Sequence, residues 1–325
     1  MIILGIETSC DETSAAVVKD GRHVLSNTIA SQVEIHAEFG GVVPEIAARR
    51  HIECIGYIVD EALGEAGVTL ADIDAYAVAN GPGLAGALLV GLNYAKGLAF
   101  INKKPLIGVH HIEGHVCANF LETELEPPFL SLVVSGGHTS LLAVEDYETY
   151  RIVGATRDDA AGEAFDKIAR VLGLPYPGGP QIDKISCDIE PTITFPRAKV
   201  PDYDFSFSGL KTAVIQYIKK EENPDIPNIA ASFQKAVVDV LTDRAVAACL
   251  NEGFAQMTLA GGVACNKALR QAMQTAFNQK NIRLYMPKPV YCTDNAAMIA
   301  CRGYYSIKNG KNDGLNLNAF PGRMV

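Results

Sequence analysis

The sequence predicts an α/β protein made of two copies of one unit, each a mixed sheet covered by helices, with a cleft between the copies. The order of the patterns is one reason: three strand-like runs open the chain, and helices and strands alternate after them. The recurrence of this order from residue 129 is a second reason. A chain of 325 residues is also long enough for two hydrophobic cores. We therefore predict two domains, 1–128 and 129–325.

The first copy begins as a strand meander. Its apolar runs are separated by polar turns, one of which contains the strong hairpin signal Asp20-Gly21. A helix is predicted from Pro44 to about Gly64, because proline is favoured in the first turn of a helix. The predicted strands of this copy are Ile2–Glu7, Ser14–Val18, His23–Ala30, Ala75–Ala79 and Pro105–Val109.

The second copy repeats that order with an insertion. Equivalent positions are separated by 128 residues for Glu7 and Ser135 but by 183 for His111 and Asp294, which places an insertion of 55 residues at roughly 173–228. The last helix of the chain can pack back on the first domain. The predicted strands of this copy are Phe129–Val134, Ser140–Val144, Tyr150–Ala155, Met257–Ala260 and Ile282–Met286.

Two histidines four residues apart predict a metal site. His111 and His115 would lie on the same face of a helix, and the duplication places Asp294 at the equivalent position of the second copy. Two imidazoles and one carboxylate form a three-ligand site with open positions for substrate, which we expect to bridge the two domains. The His-Glu-x-x-His pattern of zinc proteases is not met, because the acid is Glu113, two residues after the first histidine. Structural histidines are the alternative interpretation.

Two turns could hold phosphates through their backbone amides. Thr8–Thr13 and Ser135–Gly137 each join two predicted strands at equivalent positions of the copies. Neither has the Walker or the dinucleotide-binding glycine pattern, so plain hairpins are the alternative. Asp11 and Glu12 stand in the first turn, where a carboxylate could act on an incoming amine or through a cation, or could be a solvated surface acid.

Further segments are candidates for nucleoside, substrate or partner contacts. Asp166 lies on a predicted helix among apolar neighbours and could accept ribose hydroxyls or be ordinary surface charge. Asn266 follows a Gly-Gly turn and either contacts a nucleoside or caps the next helix. The loop Pro177–Pro180 can present backbone amides to a ligand. The aromatic and serine side chains of Phe205–Lys211 would line a surface if exposed, unless the segment is an edge strand.

Charge and cysteine content limit the function and the compartment. The formal net charge of −9 argues against a protein that binds nucleic acid unaided, because phosphates require a basic surface. A more basic partner could still deliver a nucleic-acid substrate. The eight cysteines contain no Cys-x-x-Cys pair, and we find neither an export signal nor a membrane span. We therefore expect reduced thiols, a cytoplasmic location and no membrane association.

Several motifs together resemble one family. The resemblance runs from about residue 2 to beyond residue 300, and the motifs are jointly specific. Through them the chain is identified as a member of the TsaD family, the tRNA threonylcarbamoyladenosine transferases, and Phe39–Glu45 looks bacterial rather than archaeal. The motifs are Ile6–Thr13, Gly40–Glu45, His111–His115, Ser135–Thr139, Phe205–Gly209, Gly261–Asn266 and Thr293–Ala296.

This resemblance implies an actin-like ATPase fold of the sugar-kinase and Hsp70 type. It implies transfer of the threonylcarbamoyl group from threonylcarbamoyl-adenylate to N6 of the adenosine 3′ to the anticodon in tRNAs that read ANN codons. His111, His115 and Asp294 would be the metal ligands, with iron(II) more expected than zinc. Asp11 and Glu12 would be the acids needed for activity. The residues that match the nucleotide- or substrate-binding positions are Val133, Val134, Ser135, Gly136, Gly137, Asp166, Gly179, Asp183 and Asn266.

The resemblance also implies partners. Besides the tRNA substrate, they are a TsaB-like paralogue and a TsaE-like ATPase, while a separate synthase would supply threonylcarbamoyl-adenylate. An adenylate or ATP-type nucleotide would lie in the cleft. The alternative function is that of an ATP-dependent kinase or hydrolase of the same fold that does not act on tRNA.

Overall fold

The computed structural model describes residues 1–322 and separates into two compact units. The first unit contains residues 1–127, the short segment Asp146–Thr149 and the chain from Pro287 onward. The second unit contains Pro128–Glu145 and Tyr150–Met286. Across the described residues, no helix combines the length and apolar character needed to cross a membrane.

A five-stranded mixed sheet forms the centre of the first unit. Its strands are β1 (Ile2–Glu7), β2 (Glu12–Lys19), β3 (His23–Ser31), β4 (Ala75–Gly81) and β5 (Leu106–His110). They are ordered β3-β2-β1-β4-β5, and β1 to β3 form an antiparallel meander. The strands β4 and β5 run parallel to β1. All five lie close to their predicted bounds.

The second unit is built around a sheet of the same design. Its strands are β6 (Phe129–Val134), β7 (Thr139–Val144), β8 (Tyr150–Ala155), β9 (Gln256–Ala260) and β10 (Arg283–Tyr285). Counted from the meander edge, their order is β8-β7-β6-β9-β10, which repeats the order and the strand directions of the first sheet. The internal duplication predicted from the sequence is confirmed.

Helices cover both faces of the first sheet. The helices of the chain are α1 (Val33–Ala37), α2 (Pro44–Ala66), α3 (Ala85–Asn102), α4 (His111–Cys117), α5 (Ala161–Val171), α6 (Gly178–Ile185), α7 (Ser208–Lys220), α8 (Ile226–Asn251), α9 (Lys267–Gln279), α10 (Pro289–Cys292) and α11 (Ala296–Lys308). Leu4 and Ile6 of β1 pack with the apolar side chains of α2 and α3. Ile3 and Gly5 of the same strand face α11. Alternate residues of a strand point to opposite faces, so β1 is buried on both sides.

Gly5 allows β1 and α11 to approach closely. A Cβ atom at this position would lie 2.3 Å from the carbonyl oxygen of Ala296 and 2.9 Å from the Cβ of Ala300. We expect Gly5→Ala to lower the free energy of unfolding by about 1–3 kcal/mol, because the helix would have to move away. Denaturant unfolding measures this change.

A matched control is Gly97→Ala. Gly97 is exposed within α3, and a Cβ atom there would meet open space. Since glycine is unfavourable in a helix interior, we expect this variant to be more stable by about 0.5–1 kcal/mol. Equal changes in the two variants would contradict the packing explanation for Gly5.

The insertion forms helices and buries its aromatic residues. It contains α6 and α7, and α8 begins at its end. Phe205 and Phe207 are fully buried, so of the two alternatives for this segment the exposed aromatic surface is not the one that the structure has. Phe205 forms an isolated bridge with Thr156, and the segment continues directly as α7. Side chains that follow a strand-like alternation need not be exposed, because other elements cover them.

The chain from Pro287 onward packs on the first sheet. Its helix α11 contacts β1, β2, β4 and α4. Asp294 therefore belongs to the same unit as His111 and His115. We expected the metal donors to come from two domains; the structure corrects this, because the C-terminal segment returns to the first unit before it supplies its carboxylate.

Candidate metal centre

Two imidazoles and one carboxylate converge in the first unit. His111 is the first residue of α4, which follows β5 without an intervening loop, and His115 lies one turn later. Asp294 directly precedes Asn295, whose side chain accepts a hydrogen bond from the Met298 N–H and caps α11. The end of a strand and the start of a helix thus fix the positions of the donors.

The donor geometry fits a metal ion. Asp294 Oδ1 lies 3.2 Å from His115 Nε2 and 3.5 Å from His111 Nε2, and one ligand atom of each residue lies within 4.8 Å of the others. His115 is fully buried; its Nδ1 has no hydrogen-bond partner within the described residues, and its Nε2 faces the Asp294 carboxylate. Buried polar atoms normally have partners, so these nitrogens are consistent with a ligand role. Three protein ligands would leave coordination positions open for substrate.

The electrostatics of the three side chains also suit a cation. Burial lowers the pKa of His111, but the negative charges of Asp294 and Glu7 outweigh burial and raise it well above its ordinary value. Burial lowers the pKa of His115. The pKa of Asp294 is lowered despite its burial, because both imidazoles stabilise the carboxylate. Metal ligands must be deprotonated, so only the proton of His111 would have to leave when a cation binds.

The turn that contains Asp11 and Glu12 is also part of the first unit. Gln32 N–H donates to the Asp11 carbonyl oxygen at 3.0 Å, and Ser31 Oγ donates to Glu12 Oε1 at 3.2 Å. Burial raises the pKa of Glu12 to about 10, and the charges of Asp294 and Asp11 act in the same direction. This environment favours the neutral form of the Glu12 carboxyl group over its carboxylate. It is the first residue of β2, so the turn is shorter than predicted.

The predicted phosphate turn lies in the second unit, between β6 and β7. Ser135 N–H donates to the His138 carbonyl oxygen at 2.8 Å, and His138 N–H donates to Ser135 Oγ at 3.1 Å. Around Gly136 and Gly137 there is open space where a Cβ atom would stand, so a ligand can approach their backbone. Val133 and Val134, which precede this turn, are fully buried core residues of β6.

Two of the other predicted contact residues have structural partners. Asp166 Oδ1 accepts a hydrogen bond from Gly178 N–H at 2.7 Å, and burial raises the pKa of Asp166. Asn266 Oδ1 accepts from Leu269 N–H and caps α9, while its Nδ2 donates to Gln234 Oε1 at 2.7 Å. Of the two alternatives for Asn266, a nucleoside contact or a helix cap, the structure shows the helix cap.

Gly179 and Asp183 stand on α6, in the same unit. Open space surrounds the position of a Cβ atom at Gly179. Asp183 Oδ2 accepts a hydrogen bond from Lys267 N–H at 3.5 Å. Both residues therefore lie near other predicted contact residues, and the backbone N–H of Gly179 is hydrogen-bonded to the Asp166 carboxylate.

Sequence reasoning missed residues that hold the metal-bearing helix in place. The buried Arg302 of α11 donates from Nε to Glu113 Oε2 at 2.7 Å and from Nη1 to Glu148 Oε1 at 2.7 Å. Glu113 lies between the two histidines on α4, so this ion pair joins the helix after Asp294 to the helix of the other donors. The Glu7 carboxylate also contacts His111. One feature of the sequence could have pointed to Glu7: it is an acid at the end of an otherwise apolar strand.

The two duplicated units have the actin-like ATPase fold. HypF from T. kodakarensis superposes with a TM-score of 0.67 at 14% identity, over 95% of this chain and 48% of that one. Component A of the (R)-2-hydroxyglutaryl-CoA dehydratase of Acidaminococcus fermentans gives 0.57 at 15% identity, over 95% and 99%. The ROK hexokinase of Thermus thermophilus gives 0.51 at 13% identity, over 95% and 100%. At these identities the likeness concerns the fold alone.

Sequence comparison identifies the family within this class. The family described as "TsaD: tRNA N6-adenosine threonylcarbamoyltransferase" matches residues 23–301. A tRNA N6-adenosine threonylcarbamoyltransferase of Clostridium perfringens is 56% identical over 328 aligned positions, 98% of this chain and 97% of that protein. The one of Clostridium novyi is 57% identical over 98% and 96%. The chain belongs to the TsaD family.

Proposed function

We propose that this protein transfers the threonylcarbamoyl group from threonylcarbamoyl-adenylate to N6 of the adenosine 3′ to the anticodon in tRNAs that read ANN codons. The observation that carries the proposal is the near-complete coverage of the chain by relatives named for this reaction. The three-donor centre of the first unit also supports it. A metal ion held there could bind the acyl group and make its carbamoyl carbon more electrophilic.

The reaction is an acyl transfer in which one bond forms and one breaks. N6 of the adenosine attacks the carbamoyl carbon, the bond from that carbon to the adenylate oxygen breaks, and AMP leaves. The amine loses a proton, for which the Asp11 carboxylate is the proposed acceptor. Neutral Glu12 is the proposed hydrogen-bond donor to a polar group of the acyl donor. An aryl amine is a weak nucleophile, so its positioning carries much of the rate.

A divalent metal held by His111, His115 and Asp294 would supply Lewis acidity and a template for the threonyl carboxylate or the carbamate oxygen. Two histidines and one carboxylate with open positions are typical of non-haem iron(II) sites. We therefore propose iron(II) ahead of zinc. The donor types and their spacing support this choice.

The nucleotide contacts are proposed for the second unit. The accessible backbone of Gly136 and Gly137 would bind the adenylate phosphate, and another part of the nucleotide would approach Gly179, where no side chain stands in the way. Val133, Val134 and Ser135 would place the first of these turns. Asp166, Asp183 and Asn266 would act mainly by positioning α6 and α9, since their side chains accept backbone hydrogen bonds there.

Mass analysis of tRNA nucleosides tests the proposed function. The protein is incubated with threonylcarbamoyl-adenylate and an ANN-decoding tRNA, with and without the partner proteins. Formation of threonylcarbamoyladenosine is expected, together with stoichiometric AMP. A tRNA with guanosine at the modified position is the control. ATP consumption by this protein alone in a parallel incubation with ATP, without any change in the tRNA, would instead support the kinase or hydrolase alternative.

The net charges of the two units support the proposal that this protein needs partner proteins to bind tRNA. The second unit contains 16 Lys and Arg against 16 Asp and Glu and is formally neutral. The first unit therefore carries the whole formal charge of −9. Neither unit has the basic excess that phosphates require. We propose that a TsaB-like paralogue and a TsaE-like ATPase complete the assembly, that a separate synthase supplies the adenylate, and that the reaction takes place in the cytoplasm.

An apolar groove between α2 and α3 supports the paralogue as a partner. Ile52, Tyr57 and Leu89 line it and are 66%, 78% and 43% exposed. Large apolar side chains clustered on a surface are typical of protein contacts. We expect Tyr57→Asp to weaken binding of the paralogue by at least about tenfold, because a charge would be buried in the contact.

Isothermal titration calorimetry with the purified paralogue measures this change. The matched control is Ile152→Asp, an apolar residue that is 41% exposed on β8 of the second unit. It should bind the paralogue like the unaltered protein. A loss confined to Ile152→Asp would rule out the groove as the docking surface.

A further inference from the structure

Glu7 is a carboxylate in a position where a charge is costly. It is the last residue of β1 and is fully buried, and its neighbours Ile6 and Thr8 are fully buried as well. A buried carboxylate is tolerated only when it is paired and hydrogen-bonded. The groups that pair with the Glu7 carboxylate therefore indicate why an acid occupies this position.

Both oxygens of Glu7 are engaged. Oε1 accepts a hydrogen bond from Ser9 N–H. Oε2 lies 3.0 Å from His111 Nδ1, and Ser9 Oγ lies 3.2 Å from the same nitrogen. The other nitrogen of that ring, Nε2, faces Asp294. The two nitrogens of His111 thus have different surroundings, one lined by Glu7 and Ser9 and one facing the proposed metal.

Carboxylate oxygens accept hydrogen bonds, so the contact with Glu7 Oε2 assigns a proton to His111 Nδ1. That assignment leaves Nε2 as the nitrogen available to a metal ion. We propose that Glu7 is a positioning residue that fixes the orientation of His111 and the nitrogen through which it binds the metal. This inference rests on the proposed metal centre, and it does not depend on the tRNA reaction.

His115 provides an internal contrast. Its Nδ1 has no hydrogen-bond partner within the described residues, and no carboxylate lies against it there. Glu7 is also not one of the three donors that could hold a metal together. A carboxylate behind a metal-bound histidine orients the ring and strengthens it as a ligand. Of the two histidines, only His111 has a carboxylate behind it. Loss of the Glu7 carboxylate should therefore weaken metal binding through His111.

The first test is the metal affinity of Glu7→Gln. Glutamine has one acceptor oxygen for two converging donors, Ser9 N–H and His111 Nδ1–H, so one contact must be lost. We expect the Kd for Zn²⁺, measured by competition with a fluorescent chelator on the metal-free full-length protein, to rise about 10–100-fold. Glu7→Asp, whose carboxylate is one methylene shorter, should give an intermediate rise.

The matched control is Glu61→Gln. It removes the same charge from the same unit, but Glu61 is exposed on α2 and is not one of the groups that could hold a metal. Its Kd for Zn²⁺ should stay within about threefold of the unaltered protein, since the support of His111 is unchanged. An unaltered Kd in Glu7→Gln, or an equal rise in Glu61→Gln, would overturn the proposal.

A second measurement needs no variant. Long-range ¹H–¹⁵N NMR of the Zn²⁺-loaded unaltered protein should show His111 coordinated through Nε2, with a hydrogen-bonded Nδ1–H that exchanges slowly. Coordination through Nδ1 would overturn the proposal even if no Glu7 variant folds. Both readouts concern metal binding alone, so a failure of the proposed tRNA reaction would leave them unchanged and would be recognised separately.

Discussion

Loss of any one metal donor should reduce threonylcarbamoyl transfer by at least about 10³-fold, because Lewis acidity and the template for the acyl group are lost together. The variants are His111→Ala, His115→Ala and Asp294→Ala. Each leaves two donors, too few for a site whose coordination depends on three. Transfer is measured as kcat/KM for tRNA, and bound metal by mass spectrometry of the purified protein.

The matched control is His23→Ala, an exposed histidine at the start of β3 in the same unit. It should retain metal and activity. Thermal unfolding of each variant shows whether the fold is intact. Full metal content and full transfer in all three donor variants would refute the template role.

Asp11→Asn should lower kcat by about 10²–10⁴-fold, the usual contribution of a proton acceptor. Glu12→Gln should cost far less, about tenfold or below, because glutamine reproduces the neutral, hydrogen-bonding form of an acid that is protonated at pH 7. Single-turnover rates with saturating tRNA measure both variants without a contribution from product release.

The pH dependence of the transfer rate further distinguishes the roles of Asp11 and Glu12. A carboxylic acid with a pKa raised to about 10 is neutral below that value and loses its proton as the pH rises through it. The rate of the unaltered protein should therefore fall as the pH approaches 10, whereas Glu12→Gln should not show this fall. Equal losses in Asp11→Asn and Glu12→Gln at pH 7 would indicate that ionised Glu12 takes part.

Local patterns predicted most of the fold. The strands and the helix that begins at Pro44 follow from turn residues and hydrophobic period, and the duplicated sheet order followed from comparing the two halves. Burial was harder to predict: Phe205 and Phe207 look like an exposed alternation but are covered by other elements. Such coverage depends on contacts between residues distant in sequence.

The candidate donors were predictable by type but not by placement. His111 and His115 follow from spacing on one helix, and Asp294 from the equivalence of the two copies. The last helix packs back on the first domain, as the sequence allowed, but the donors were still expected to come from two domains, because no local pattern shows that Asp294 goes with that helix. The contact of Glu7 with His111 spans 104 residues of sequence, and no periodic pattern encodes a pair at such a distance.

The return of the chain to its first unit affects the order in which the protein can be completed during synthesis. β1 leaves the ribosome long before α11, the helix that covers one of its faces. Until then an apolar sheet face stays uncovered, and contacts of such large sequence separation form slowly. A nascent chain that ends before Asp294 has only two of the three metal donors. Metal capture by all three donors would therefore have to wait until the segment with Asp294 and α11 has been made and has packed on the first sheet.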